Sequence, residues 1–284
     1  MSERTVLITG ATGHQGGAVA RALANKGLRL RAMTRKPDSE AAGRVRALGI
    51  DVVAGDLDDE ASLTRAVDGA WGVFAVQNTW EAGVEAEEVQ GKRIASVAKT
   101  AGVQHFVYSS VGSADRHTGI PHFDNKFRVE EHVRGLKFPS FVILRPVFFM
   151  ENLVSPAFLN GGTLYAGMPP TTPLQMIAVD DIGFYGAAAF TQADRLNGRA
   201  IDLAGDTRTM SDAARILGQA MGREVPFVEV PIADVRKHSD DLALMLEWFV
   251  RVGYDADIPA LEREFAFKST TLDAWAKTHV GVTA

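Results

Sequence analysis

Cysteine is absent from all 284 residues. That excludes disulfides, thiolate nucleophiles and Cys-ligated zinc, and it suits a reducing compartment. Long apolar runs are missing too, so no segment reaches the length that a membrane-spanning helix requires. The opening MSERTVLITG has two early charges and then a short apolar run, which is neither a signal peptide nor a span. The expectation is a soluble, cytoplasmic protein with no membrane partner. An excess of positive charge is also lacking. The net charge is -5 and the basic residues are scattered, which gives no electrostatic reason to bind nucleic acid. His14, His105, His117, His132, His238 and His279 lack paired spacing with carboxylates, so no metal site is expected. No internal repeat, low-complexity tract or flexible linker is visible.

What is present has the composition of an ordinary enzyme-sized globular protein, with 46% hydrophobic and 23% charged residues. The first half alternates short β-branched runs with helical patterns, the signature of a parallel sheet with crossover helices. RTVLITG, LRLRAMTR, DVVAGD, WGVFAVQ, HFVYSSV and SFVILRP read as six strands. Between them lie helical segments, among them HQGGAVARALANKG, VEAEEVQGKRIASVAKTAG and DNKFRVEEHVRG. The rhythm breaks after Pro146, and RAIDLAG reads as a late strand of the main sheet. ADVRKHSDDLALMLEWFVRVG reads as one long helix. The fold expected is α/β: a doubly wound parallel-sheet Rossmann fold with a smaller, discontinuous C-terminal α+β lobe. Residues 1–146 plus about 181–206 would form the nucleotide-binding domain, and about 147–180 plus 207–284 the smaller lobe.

ITGATGHQGG spaces Gly10, Gly13 and Gly16 three apart between the first strand and the first helix. Gly10 permits the tight turn and Gly13 lets the backbone approach a pyrophosphate. Gly16 lets the helix pack closely, while the helix N-terminus offers amide donors to the anion. With the intervening Thr12, His14 and Gln15, this loop is the candidate dinucleotide cradle. The second strand ends MTRKPDS, with Arg35 and Lys36, and no carboxylate, at the strand end where one would accept from a ribose 2′-hydroxyl. A guanidinium there grips a 2′-phosphate, so NADP(H) is favoured over NAD(H); alternatively, Arg35 sits on a solvated strand end. After the third strand, Asp56 would accept from the adenine amino group and Leu57 cover the ring, unless Asp56 or Asp58 caps the next helix. Gln77 and Asn78 end the fourth strand and should lie along the cofactor's inner ribose.

The segments GATGHQGG, TRKPDS, GDLDD, GVQHFVYSSVGSAD, HFDNKFRVEEHVR, LRPVFFMENL and GREVPFVEV together resemble the NmrA-like branch of the atypical short-chain dehydrogenases/reductases. The resemblance implies an extended Rossmann fold and NADP(H) binding. It also implies one of two outcomes: a working reductase of quinones, phenolic ethers or dyes, or a nucleotide sensor that signals by partner choice. By the same resemblance, Lys126 is the lysine that hydrogen-bonds the nicotinamide ribose, Arg35 binds the phosphate, and Phe148 and Phe149 lie near the nicotinamide end. Where the wider reductase pattern Y-x-x-x-K has tyrosine, this chain has His122. YSSVGS offers Ser109, Ser110 and Ser113 as the partner serine, or places Val111 at that position.

Carbonyl reduction needs a proton donor at the developing alkoxide. His122 and Lys126, four apart at a helix N-terminus, can project toward one region, and histidine donates near neutral pH. The alternatives for His122 are a ring packed on the cofactor or a solvated loop. Trp80, Phe123, Phe149 and Met150 would wall an apolar substrate, or else belong to the core. The alternating charges of EAEEVQGKR read as a solvated helix face. Two functions fit: an NADPH-dependent reductase of a small carbonyl, quinone or enone, and an NADP-responsive regulatory protein with a protein partner. The helices at 83–101 and 124–135 could pair subunits in a homo-oligomer.

Overall fold

The structure is a computed structural model that describes residues 4–280. Strand β1 (Thr5–Ile8) is followed by helix α1 (His14–Leu23), β2 (Arg29–Thr34), α2 (Glu40–Arg46), β3 (Asp51–Ala54), α3 (Glu60–Val67) and β4 (Gly72–Ala75). A short helix α4 (Thr79–Ala82) precedes the long α5 (Val84–Thr100), then β5 (His105–Ser109), α6 (Pro121–Gly135) and β6 (Ser140–Pro146). Next come β7 (Phe148–Phe149), β8 (Leu159–Asn160), β9 (Thr163–Ala166), β10 (Leu174–Ile177), α7 (Val179–Thr191), α8 (Ala193–Leu196) and β11 (Ala200–Leu203). The chain continues through β12 (Asp206–Arg208), α9 (Met210–Met221), β13 (Phe227–Glu229), α10 (Ile232–His238), α11 (Asp240–Arg251), α12 (Ile258–Phe265) and α13 (Leu272–His279).

A seven-stranded sheet has the order β11-β6-β5-β4-β1-β2-β3. From β6 to β3 each neighbouring pair is parallel. This is the doubly wound arrangement read from the sequence. Strands buried on both faces need continuous apolar runs, and Val6, Leu7, Ile8, Val73, Phe74 and Ala75 are fully buried. The chain winds outward from β1 through β2 to β3, then returns to place β4 on the other side of β1. The connections leaving β1 and β4 therefore diverge and open a crevice at the carboxyl ends of those strands, where such folds bind their ligands.

The chain divides into two compact units. One holds the chain through Asp115, His122–Arg145 and Ile182–Ile201; the other holds Arg116–Pro121, Pro146–Asp181 and the chain from Asp202. The second unit contains two three-stranded sheets, β12-β10-β7 and β13-β9-β8. Its α9 is closed by a capping box between Thr209 and Asp212 and ended by Gly222 in the left-handed conformation. The single long helix expected at 233–253 is broken. Ser239 is extended and its side chain accepts from the Leu242 amide, which stops α10 and caps α11. Helices α12 and α13 carry their own caps, Asp257 and Thr271. No helix among the described residues is long and apolar enough to cross a membrane.

Candidate functional site

The glycine loop owes its shape to contacts that exclude side chains. Gly10 has φ +61°, and a Cβ there would lie 2.8 Å from Val76 Cγ1. A Cβ on Gly16 would meet Thr9 O at 2.4 Å and Gly10 C at 2.5 Å, so α1 seats directly on the loop backbone. The opposite flank of α1 is equally close: a Cβ on Gly183 of α7 would lie 2.7 Å from Ala18 O. Gly13 differs, because its Cβ would find only Gly10 O, at an ordinary 3.4 Å. Gly13 is also the N-cap of α1, and no side chain caps that helix. Exposed Gly10, Thr12, Gly13 and His14 thus surround an open helix N-terminus whose amide donors face outward for an anion. Gln15 takes a different part: its Oε1 accepts from Ser109 Oγ at 2.6 Å, tying the loop to the end of β5.

The remaining carboxyl ends of the strands carry the other candidates. Arg35 follows β2, and its guanidinium pairs with Glu81 of α4, both side chains being more than half exposed. That hydrogen bond and the Glu81 charge raise the Arg35 pKa, with weaker support from Asp56 and Asp58. A carboxylate does therefore stand beside the end of β2, contributed from 46 residues further along. Asp56 accepts from the Asp58 amide at 3.0 Å, but Asp59, not Asp56 or Asp58, caps α3. Leu57 packs partly buried on the core and gives its carbonyl to Arg93 at 2.5 Å. Asn78, expected along the ribose, is the cap of α4 and accepts from the Trp80 amide at 3.1 Å. Gln77 is 5% exposed, and neither its Nε2 nor its Oε1 has a hydrogen-bond partner. A buried amide left in this state costs free energy that a ligand or water with hydroxyl groups would recover.

Lys126 lies on α6 at 9% exposure, and its Nζ donates to Glu87 Oε1 at 2.6 Å. Glu87, on α5, is 1% exposed, and its other oxygen accepts from Thr79 Oγ1. The stretch read as a solvated helix face is therefore split. Glu87, Gln90, Gly91 and Ile94 form a buried stripe at helical spacing, while Glu85 is exposed. Gly91 in that stripe lets Val129 and the Gln77 amide approach closely. His122 sits one turn before Lys126 in the first turn of α6, which starts at Pro121 and not at Asp124. Its ring packs edge-on to Phe123 at 4.7 Å and tilted against Trp80 at 5.6 Å.

The hydroxyls of Ser109 and Ser110 are both committed. Ser109 donates to Gln15, and Ser110 donates to Glu130 Oε1 at 2.6 Å. Glu130 is fully buried and also takes a two-pronged contact from Arg145, at 2.9 and 2.6 Å. Arg145 in turn reaches Asp115 at 2.7 Å. This chain of contacts fixes α6 against the ends of β5 and β6, and so fixes the positions of His122 and Lys126. Ser113 is buried in the left-handed conformation, at φ +61°. Tyr108 does not replace the missing tyrosine acid. It is fully buried, and burial first, then the charges of Glu87, Glu130 and Glu88, push its phenol well above the usual range.

Of the residues expected to face substrate, Trp80 is 64% exposed, whereas Phe123 and Met150 have no exposed surface and pack as core. Phe148, Phe149 and Met150 belong to the second unit. There Phe148 is held edge-on by Phe158 at 5.3 Å and Phe249 at 6.4 Å, and β7 pairs with β10. Phe149 is half-buried. Asp180 and Asp181 sit in the first turn of α7, but Asp181 serves Thr270, accepting from its amide and hydroxyl at 2.8 and 2.7 Å. The amide of Val179 is taken by Glu151 instead, at 3.0 Å. No group of three His, Cys, Asp or Glu that could hold a metal ion occurs among the described residues.

The uncapped α1 terminus, the open face of Gly13 and the orphaned Gln77 amide fit a dinucleotide at the crevice between β1 and β4. Relatives bear on this. FrzB of Cladobotryum sp, an NmrA-like family domain-containing oxidoreductase, is 30% identical over 256 residues, covering 79% of this chain and 76% of its own length. The NADPH-dependent quinone oxidoreductase QOR2 of Escherichia coli, solved with NADPH, superposes with a TM-score of 0.80 at 25% identity, over 96% of this chain and 99% of that one. NmrA, a negative transcriptional regulator solved with NAD and also with NADP, shares the fold; its NAD complex gives a TM-score of 0.80 at 20% identity, over 99% of this chain and 96% of that one. The NmrA-like family model matches residues 2–279, and with that match spanning nearly every element described above, the chain belongs to the NmrA-like family.

Proposed function

We propose that this chain is an NADPH-dependent reductase of a small apolar carbonyl, quinone or enone. The observation that carries the reading is Lys126. The chain buries an ammonium and supplies it with a buried carboxylate, Glu87, while an amide with no partner within the protein, Gln77, comes close to Gly91 one turn further along α5. Burying such a pair rarely adds stability over an apolar alternative, so its retention beside a ligand crevice points to function.

In this reading Gly10, Thr12, Gly13, His14, Gly16 and the amides opening α1 hold the pyrophosphate, and Arg35 holds the 2′-phosphate. Gln77 and the two Lys126 donors not used by Glu87 take the ribose hydroxyls. Bound NADPH supplies the hydride. His122 supplies the proton to the developing alkoxide, because Ser109 and Ser110 are committed and Tyr108 is buried. Trp80 forms the exposed aromatic wall.

A second reading, an NADP(H)-responsive regulator without turnover, draws support from the same committed serines, since the hydroxyls of Ser109 and Ser110 are not available to orient a carbonyl. NADPH oxidation against a panel of quinones, aldehydes and enones separates the two. The reductase reading expects turnover that His122→Phe lowers with NADPH binding retained, and that Lys126→Ala lowers together with binding. Tight NADPH binding with no compound reduced supports the regulator.

A further inference from the structure

Arg35 and Glu81 form an ion pair that does nothing evident for the fold. Both side chains are more than half exposed, 58% and 55%, and exposed pairs of this kind contribute little to stability. Their position is more telling than their strength. Arg35 leaves the carboxyl end of β2, and Glu81 reaches it from α4, the short helix that follows β4. The pair thus stands over the same sheet edge as the glycine loop, with an anion grip and a carboxylate in direct contact.

We propose that Glu81 sets the nucleotide preference of the site by competing with a 2′-phosphate for Arg35 and by serving as the acceptor for a 2′-hydroxyl. This rests on the reading of Arg35 as the phosphate-binding residue. A guanidinium binds phosphate best through two parallel N–H bonds, and here part of that fork is already occupied by a carboxylate. A 2′-phosphate, carrying about -1.5 to -2 charges at neutral pH, has to displace Glu81 and then tolerate its charge nearby. A 2′-hydroxyl meets the opposite situation. It is neutral, and the Glu81 carboxylate is the kind of acidic group that accepts from the adenosine ribose of NAD. One exposed pair therefore carries both determinants, the cation for NADP and the anion for NAD. Asp56 and Asp58 add to the negative potential around Arg35 without contacting it directly.

The test measures Kd for NADPH and NADH by titration calorimetry on the wild-type protein, Glu81→Gln and Arg35→Ala. Both positions are on the surface, and neither substitution removes a core contact. Glu81→Gln is expected to tighten NADPH binding by about tenfold, from a unit charge removed roughly 5 Å from a near-dianion in aqueous surroundings. It is expected to weaken NADH binding by roughly threefold through loss of a charged acceptor. Arg35→Ala is expected to weaken NADPH binding by at least about tenfold and to leave NADH binding near wild type. If Arg35→Ala is selective but Glu81→Gln leaves the NADPH-to-NADH ratio unchanged, the role of Glu81 is refuted and that of Arg35 stands. If Arg35→Ala weakens both nucleotides equally, the assignment of Arg35 fails and the inference goes with it.

Discussion

Replacing Glu87 with glutamine leaves the Lys126 ammonium buried without its carboxylate, and replacing Lys126 with methionine leaves Glu87 in the same position. Removing one partner of a buried pair costs about 3–5 kcal/mol, because the survivor remains desolvated. The Lys126 side chain is 11% exposed, so some water reaches it, and the lower end, about 3 kcal/mol, is the expectation for Glu87→Gln. Lys126→Met should cost more, because Glu87 is 1% exposed and would retain only the Thr79 hydroxyl on its other oxygen. At about 2–4 °C per kcal/mol for a chain of this size, Glu87→Gln should melt roughly 6–12 °C below the wild type. The double variant removes both charges and should cost well under the sum of the singles, leaving a coupling of about 2 kcal/mol or more. Thermal melts of the four proteins supply the cycle, and titration with NADPH adds the functional arm. Loss of the lysine's hydrogen bonds to a ribose, at roughly 1.5–3 kcal/mol for a charged donor, raises the NADPH Kd about ten- to hundredfold in Lys126→Met. Strictly additive singles would show that the pair is uncoupled. An unchanged NADPH Kd in Lys126→Met would remove the lysine from the cofactor site.

The glycine loop separates stability from binding. Gly16→Ala drives a methyl into Thr9 O and Gly10 C, both backbone atoms, and should cost about 1–3 kcal/mol along with nucleotide binding. Gly13→Ala has room and should lose at most about 1 kcal/mol, as a change of N-cap, yet bind NADPH more weakly because the methyl covers the open face; a melting loss as large as that of Gly16→Ala would contradict this. His105 is fully buried, with Nε2 donating to the Ala189 carbonyl at 3.0 Å and Nδ1 accepting from Ser140 Oγ at 2.8 Å. Burial lowers its pKa to about 4 from 6.5. Between those values the unfolded chain takes up a proton that the folded chain refuses, so stability present above pH 6.5 is lost as pH falls toward 4, by about 3 kcal/mol. Denaturant midpoints measured across that window should slope for the wild type and flatten for His105→Gln, and an unchanged slope would place the effect elsewhere.

What the sequence discloses here is mostly local. Gly10, Gly13 and Gly16 are legible because a strand, a turn and a helix N-terminus lie within one short segment, and the parallel sheet follows from the βα rhythm. The site's electrostatics are not local. Arg35 meets Glu81 46 residues away, and Lys126 meets Glu87 at a separation of 39, inside a run that reads as solvated charge. The signal for Glu87 was present in the register it shares with Gln90, Gly91 and Ile94, a buried stripe masked by the acidic residues around it. Asp59 in place of Asp56 or Asp58 as the cap of α3 is a shift of a few residues among adjacent aspartates that composition does not resolve. Phe123 and Met150 show the reverse problem: large apolar side chains read as pocket walls are as well suited to core, and here packing claimed them. Ser109 and Ser110 carry suitable chemistry, and only the structure shows their hydroxyls engaged by Gln15 and Glu130.

The central claim, that this chain transfers hydride from NADPH, is tested most directly by a single-turnover reaction. Protein loaded with one equivalent of NADPH is mixed rapidly with excess quinone while the nicotinamide absorbance is followed and the reduced quinone is quantified. The account predicts a single decay, far faster than for NADPH without protein, that yields one equivalent of reduced product and slows in His122→Phe. Decay no faster than in the protein-free control, with NADPH still fully bound, would contradict it.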